Sequence, residues 1–112
     1  MTIVINSNHG SFKIDVEVDE HQHKSYPEFC EYMRMRKLAQ YFFLPTLYIR
    51  FNPDEYKTSE LEEVPMRKRL IRLSQVIRKY KMLERLPCAV GAIQMYFDGW
   101  IENKSVEISI IE

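Results

Sequence analysis

The side chains best suited to chemistry lie in Val16-Glu17-Val18-Asp19-Glu20-His21-Gln22-His23 and just before it. Asp15, Glu17 and Asp19 recur at every second position, and Glu20, Gln22 and His23 follow where the alternating apolar residues stop. On an extended strand that spacing carries all three carboxylates to one side. Acids so placed repel one another, and a bound cation relieves the repulsion. Oxygen and imidazole donors without cysteine suit a hard divalent ion, Mg²⁺ or Mn²⁺, better than zinc. Such an ion, completed by water and phosphate oxygens, can polarise a phosphoryl group, lower the pKa of an attacking water and stabilise the leaving oxygen. Hydrolysis of a phosphodiester is the reaction that needs fewest further parts. Lys13, Asp15, Glu17 and Asp19 would serve equally as a solvated sheet face. The accumulation of Glu20, Gln22 and His23 at the strand end, where ligand sites of α/β sheets form, favours the chemical reading.

Positioning these groups falls first to a strand over Phe12–Asp19, with Phe12, Ile14, Val16 and Val18 on one face and Lys13, Asp15, Glu17 and Asp19 on the other. Before it, Thr2–Ile5 is a short apolar run, and Asn6-Ser7-Asn8-His9-Gly10 can take the positive φ values of a hairpin turn. His9 reads as a turn residue rather than a ligand. Ser25 as N-cap, Pro27 in the first turn and Glu28 completing a capping box open a helix that runs to about Tyr41. Phe29, Met33, Leu38 and Phe42 supply its core stripe, and Glu31 can pair with Arg34 on its surface. Pro45 breaks any helix that reaches it, Thr46–Phe51 is β-branched and aromatic enough for a strand, and Asn52-Pro53-Asp54 is a turn. A right-handed crossover then sets Thr46–Phe51 parallel to Phe12–Asp19, bringing Arg50 and Asn52 toward Asp19, Gln22 and His23. Pro65 opens a second helix reaching about Leu83, with Leu70, Leu73, Val76, Ile77 and Tyr80 inward. Ala89–Phe97 reads as a strand, Asp98-Gly99 as a turn and Ser105–Ile111 as an edge strand. The expected architecture is α/β (α+β): a small mixed β-sheet flanked by two helices.

A chain of 112 residues suffices for one domain with a single core. Its 16 basic and 16 acidic residues cancel, so net charge selects no partner. The distribution is uneven, with an acidic stretch Asp54–Glu63 and a basic one, Arg67–Arg85, in which Glu84 is the sole acid. The basic helix reads either as a solvated face or as a contact for phosphates through Arg72 and Lys79. Cys30 and Cys88 are far apart with no C-x-x-C pair, which argues against a zinc site or a disulfide framework. Without a signal peptide or a run of about 18 apolar residues, the expectation is an intracellular protein, neither secreted nor membrane-spanning.

Three blocks carry a resemblance. Glu17-Val18-Asp19-Glu20-His21-Gln22-His23, then Tyr26, Cys30-Glu31 and Arg34-Met35, then Tyr48-Ile49-Arg50-Phe51-Asn52-Pro53-Asp54-Glu55-Tyr56, resemble the E-x-D-E-x-Q-H, C-E-x-x-R-M and I-R-F-N-P-D-x-Y motifs of restriction-endonuclease-like proteins. These proteins are met especially in giant DNA viruses of amoebae and are similar to the Vsr-type branch of the PD-(D/E)XK nucleases. The blocks stand in the family's order across residues 12–56, and Met95-Tyr96-Phe97-Asp98-Gly99 is compatible with its final strand.

The resemblance implies one restriction-endonuclease-like domain over residues 1–112 and Mg²⁺- or Mn²⁺-dependent cleavage of DNA. By it, Glu17 and Asp19 are the central-strand acids, with Glu17 the foremost metal ligand. Gln22 and His23 stand where a lysine or a Vsr-like histidine positions or activates water, and Arg34 and Arg50 steady phosphate or the acids. On charge pairing alone Arg50 is equally a structural partner for Asp19. The chain departs from the family at its start, because the leading Pro-Asp would stand just before Thr2–Ile5 and no Asp precedes Asp15. Three readings are open: a start codon placed too late, a shortened and inactive relative, or Asp15 in that role. Asp15 and Glu17 have Cα atoms about 6.6 Å apart on an extended strand, so they could bracket one ion. The rival function is a catalytically degenerate module of the same fold that binds DNA or a protein. Domains of this size often depend on a homodimer or a fused DNA-reading domain, and nothing in the chain selects between them.

Overall fold

The computed structural model describes residues 1–18, 33–37 and 44–111. Strands β1 (Thr2–Ser7) and β2 (Gly10–Val18) form an antiparallel hairpin in which Ser7 pairs with Gly10 around Asn8 and His9. Gly10 has φ 112°, a conformation open to a residue without Cβ. Residues 33–37 are helical and are labelled α1. Strand β3 (Thr46–Phe51) runs parallel to β2, as the crossover argument requires, with Val16 opposite Ile49 and Glu17 opposite Arg50. After helix α2 (Met66–Lys81), strand β4 (Val90–Met95) lies parallel to β3, and β5 (Ser109–Ile110) pairs antiparallel with β4. The described residues thus make one mixed sheet in the order β1-β2-β3-β4-β5 with two helices, an α+β fold. Asp19, Gln22, His23 and the expected helix start at Ser25 lie outside the described residues.

Every residue of β3 is buried, as a central parallel strand covered on both faces must be. On one face Phe12, Ile14, Val16, Leu47, Ile49, Phe51, Ile93 and Met95 join Val76 and Tyr80 of α2 in the main core. On the other, Met35 of α1 packs with Tyr48, Val90, Ala92 and Ile111. The sheet therefore separates α2 from the face that carries Asp15 and Glu17.

Two elements depart from the local pattern. Helix α2 buries Arg69, Val76 and Tyr80, whereas Leu70, expected inward, is 52% exposed. The helix is turned so that Arg69 reaches backbone carbonyls at the end of β3, which a leucine could not satisfy. The last strand, expected over Ser105–Ile111, is confined to Ser109–Ile110 because Val106 and Ile108 pack against the main core instead. Among the described residues no helix is long and apolar enough to cross a membrane.

Candidate functional site

The period-2 alternation of β2 places Asp15 and Glu17 on the α1 side of the sheet. Both are half-buried, so this face is not the open solvated surface that strand alternation alone would allow. Arg34 of α1 lies over it and donates to both carboxylate oxygens of Glu17, Nη1 to Oε1 at 3.4 Å and Nη2 to Oε2 at 3.1 Å. The side chains of Arg34 and Glu17 are 41% and 26% exposed, so water still reaches the pair. Asp15 accepts from Thr2 Oγ1 at 3.4 Å across the hairpin.

The rows of the parallel sheet extend this set. Glu17, Arg50 and Gln94 stand side by side on β2, β3 and β4, as do Asp15, Tyr48 and Ala92 one step earlier. Arg50 is buried, its guanidinium 5.3 Å from the centre of the Phe97 ring, while Gln94 is exposed. The Tyr48 hydroxyl donates to the Met35 carbonyl at 3.0 Å. Burial pushes its pKa up to about 12, and the negative charges of Asp15 and Glu17 push the same way. Tyr48 and Gln94 escaped the reading of the sequence, although Gln94 is the one polar side chain in the otherwise apolar Val90–Met95 and so was a visible signal.

Beyond the ends of β3 and β4 sits a second polar centre that motif reading missed. The Arg69 side chain is buried, with Nε donating to the Val64 carbonyl at 2.7 Å and Nη1 to the carbonyls of Asp54 at 2.8 Å and Asn52 at 3.3 Å. Its guanidinium lies 4.8 Å from the centre of the Tyr56 ring and 5.2 Å from that of Tyr96. Asn52, expected near Asp19, Gln22 and His23, which lie outside the described residues, donates from Nδ2 to the Tyr96 carbonyl at 2.8 Å and accepts from the Asp54 N–H at 3.0 Å. Tyr96 holds the left-handed φ of 63° that ends β4, its hydroxyl 3.2 Å from Glu102. Burial and that carboxylate push its pKa well above the usual tyrosine range. In Asn52-Pro53-Asp54-Glu55-Tyr56, then, Asn52 and Tyr56 serve to tie strand ends together.

Of the residues singled out from the sequence, Asp15, Glu17, Arg34 and Arg50 come together. Arg72 and Lys79 do not join them, because α2 lies across the sheet. Arg72 is half-buried with Nη2 3.5 Å from the Lys104 carbonyl, and the Lys79 ammonium lies 5.4 Å from the Tyr80 ring centre. His9 pairs with Glu84 at the hairpin tip, away from the acids. Cys88 is a half-buried thiol whose pKa burial pushes up.

The described residues suit a hard divalent ion in kind, with two carboxylates on one strand face. An ion that took Glu17 would have to compete with Arg34. Among the described residues no group of three or more His, Cys, Asp and Glu is placed to hold a metal. Comparison with protein-family models, with curated proteins and with solved structures finds no match to this chain.

Proposed function

We propose that this chain is a metal-dependent endonuclease of the restriction-endonuclease-like type, hydrolysing DNA phosphodiesters with Mg²⁺ or Mn²⁺. The observation that carries the reading is the meeting of Asp15, Glu17, Arg34 and Arg50 on one sheet face, toward the carboxyl ends of β2 and β3. DNA as substrate rests on the resemblance of the three sequence blocks, and an intracellular setting goes with it.

In this reading Asp15 and Glu17, with Asp19, hold the ion. The bound ion would polarise the phosphoryl group and lower the pKa of the attacking water. Arg34, once released from Glu17, turns its guanidinium fork to a phosphate, whose two oxygens it can bind together. Buried Arg50 keeps a positive charge beside the acids whether or not substrate is present. Gln22 and His23 orient the water or take its proton. Arg72 and Lys79 belong to the far side of the sheet and are at most a separate, sequence-independent contact with the DNA backbone.

The Arg34–Glu17 pair favours a second reading, a nuclease-fold module that binds DNA or a protein without cutting. A guanidinium on both oxygens of Glu17 already neutralises the charge a metal would otherwise meet. Calorimetric titration with Mn²⁺, followed by plasmid nicking on the same sample and with Glu17→Gln as control, separates the two. The nuclease reading expects binding and nicking in the wild type and neither in the variant. DNA binding without metal uptake or nicking supports the second reading, and nicking that survives in Glu17→Gln overturns the assignment of the site.

A further inference from the structure

We infer that the outer edge of β1 is a self-pairing surface, on which a second copy of this chain docks antiparallel to form one continuous sheet. The inference does not depend on the proposed enzymatic activity. It starts from which backbone groups the hairpin uses. Met1 and Val16 exchange both hydrogen bonds, Met1 N to Val16 O at 2.9 Å and Val16 N to Met1 O at 2.8 Å. In an antiparallel ladder the bonded pairs then recur at every second residue, so Ile3, Ile5 and Ser7 bond inward to β2 while Thr2, Val4 and Asn6 turn their N–H and C=O groups outward. Those outward groups have no partner among the described residues.

Natural edge strands are blunted by charge, proline, bulges or brevity. Thr-Ile-Val-Ile-Asn-Ser has no charged residue and no proline, pairs in unbroken register with β2, and is six residues long. It is also complementary to itself. Turned about a two-fold axis through Val4, it sets Val4 against the second copy's Val4, Thr2 against Asn6 and Asn6 against Thr2. All three pairs present outward backbone groups, and each exchanges two hydrogen bonds. A shift by two residues either way leaves only two such pairs, so this register is preferred. Ile3 and Ile5, partly buried at the rim of the core, would meet Ile5 and Ile3 of the second copy, extending the apolar layer. Val4, 53% exposed, would be covered on the opposite face. No like charges meet, so a second copy fits this edge without repulsion. Both copies would present Asp15 and Glu17 on the same side of the joined sheet, because the axis is perpendicular to it. One strand edge covers less than the ~1,600 Å² of a standard interface, so the dimer should be reversible and concentration-dependent.

The test is sedimentation equilibrium of the full chain over a range of concentrations. The wild type should pass from monomer to dimer. Val4→Lys and Val4→Glu each place like charges directly opposite at the two-fold and should weaken association about tenfold or more, whereas their equimolar mixture should restore it. Val4→Pro removes only an outward N–H, leaving the ladder to β2 intact, and should also be monomeric. Circular dichroism checks that each variant is folded. A wild type that stays monomeric to its solubility limit would overturn the inference, as would a Val4→Lys protein that dimerises as well as wild type. A monomer that instead takes up an added extended peptide along this edge would assign the surface to a different partner and overturn it too.

Discussion

Replacing Arg69 by alanine should remove a large part of this domain's stability, because the side chain answers several buried acceptors at once. Its guanidinium bonds the carbonyls of Val64, Asp54 and Asn52 at 2.7, 2.8 and 3.3 Å and faces the rings of Tyr56 and Tyr96. A buried polar group left unsatisfied costs about 1–3 kcal/mol, and a desolvated cation–π contact is worth up to about 2 kcal/mol. Glu63, 3.5 Å away and with a side chain 37% exposed, adds little, since water can take over its solvation. The losses are not additive, because the loop over residues 52–56 can relax once the fork is gone, and a total of ~3–5 kcal/mol is expected. Against the ~5–15 kcal/mol of a typical domain that is a large fraction, and it should lower Tm by roughly 15 °C. Arg69→Lys should recover little, since one ammonium cannot reproduce a planar fork aimed at three carbonyls. Arg72→Ala, removing a half-buried guanidinium from the same helix, serves as the control and should cost less than about 1 kcal/mol. Urea denaturation followed by far-ultraviolet circular dichroism measures all three variants. A loss below about 1 kcal/mol for Arg69→Ala, or a lysine variant as stable as wild type, would refute the reasoning.

Two further outcomes concern the sheet itself. The Tyr48 pKa is raised to about 12, so below the ordinary tyrosine value of about 10 its stabilising contribution is complete, and it is lost as pH climbs from about 10 to 12 because only the unfolded chain then releases the proton. Tyr48→Phe should cost about 1 kcal/mol at pH 7 through the lost bond to Met35 yet flatten that alkaline decline; urea titrations with equal slopes for both proteins would count against it. Gly91→Ala would bring a Cβ to 2.6 Å from Ile108 Cγ2 and 2.8 Å from Cys88 Sγ, and should destabilise by ~1–3 kcal/mol, partly recovered by Ile108→Ala; a neutral result in urea would mean that the β4 side of the core yields more easily than its packing implies.

Local chemistry carried the reading of the sequence a definite distance. Asn8, His9 and Gly10 mark a tight turn, the alternation in Phe12–Val18 separates an apolar from a polar face, and a helix-bearing link before Thr46–Phe51 calls for a parallel neighbour; each is a property of a few adjacent residues or of chain handedness, and each holds in the structure. That Asp15 and Glu17 share a side of β2 was legible for the same reason, and the parallel register put Arg50 within reach. Contacts between residues far apart in the chain were not. Periodicity made Leu70 an inward residue, yet carbonyls left at the end of β3 drew Arg69 into that place instead. Helix spacing offered Arg34 a partner in Glu31, which lies outside the described residues, and the resemblance set it near the acids; the packing of α1 on the sheet fixed its two contacts to Glu17. Asn52 looked like a site residue until the turn after β4 supplied the Tyr96 carbonyl it binds. The basic residues of α2 gave no sign of which face of the sheet they would occupy, because layer order depends on which apolar stripe finds which face. Sequence by itself determined strands, turns and the side of each strand; the tertiary structure decided which partner each buried polar group takes, since burying a polar group requires a partner and that partner is chosen by the fold.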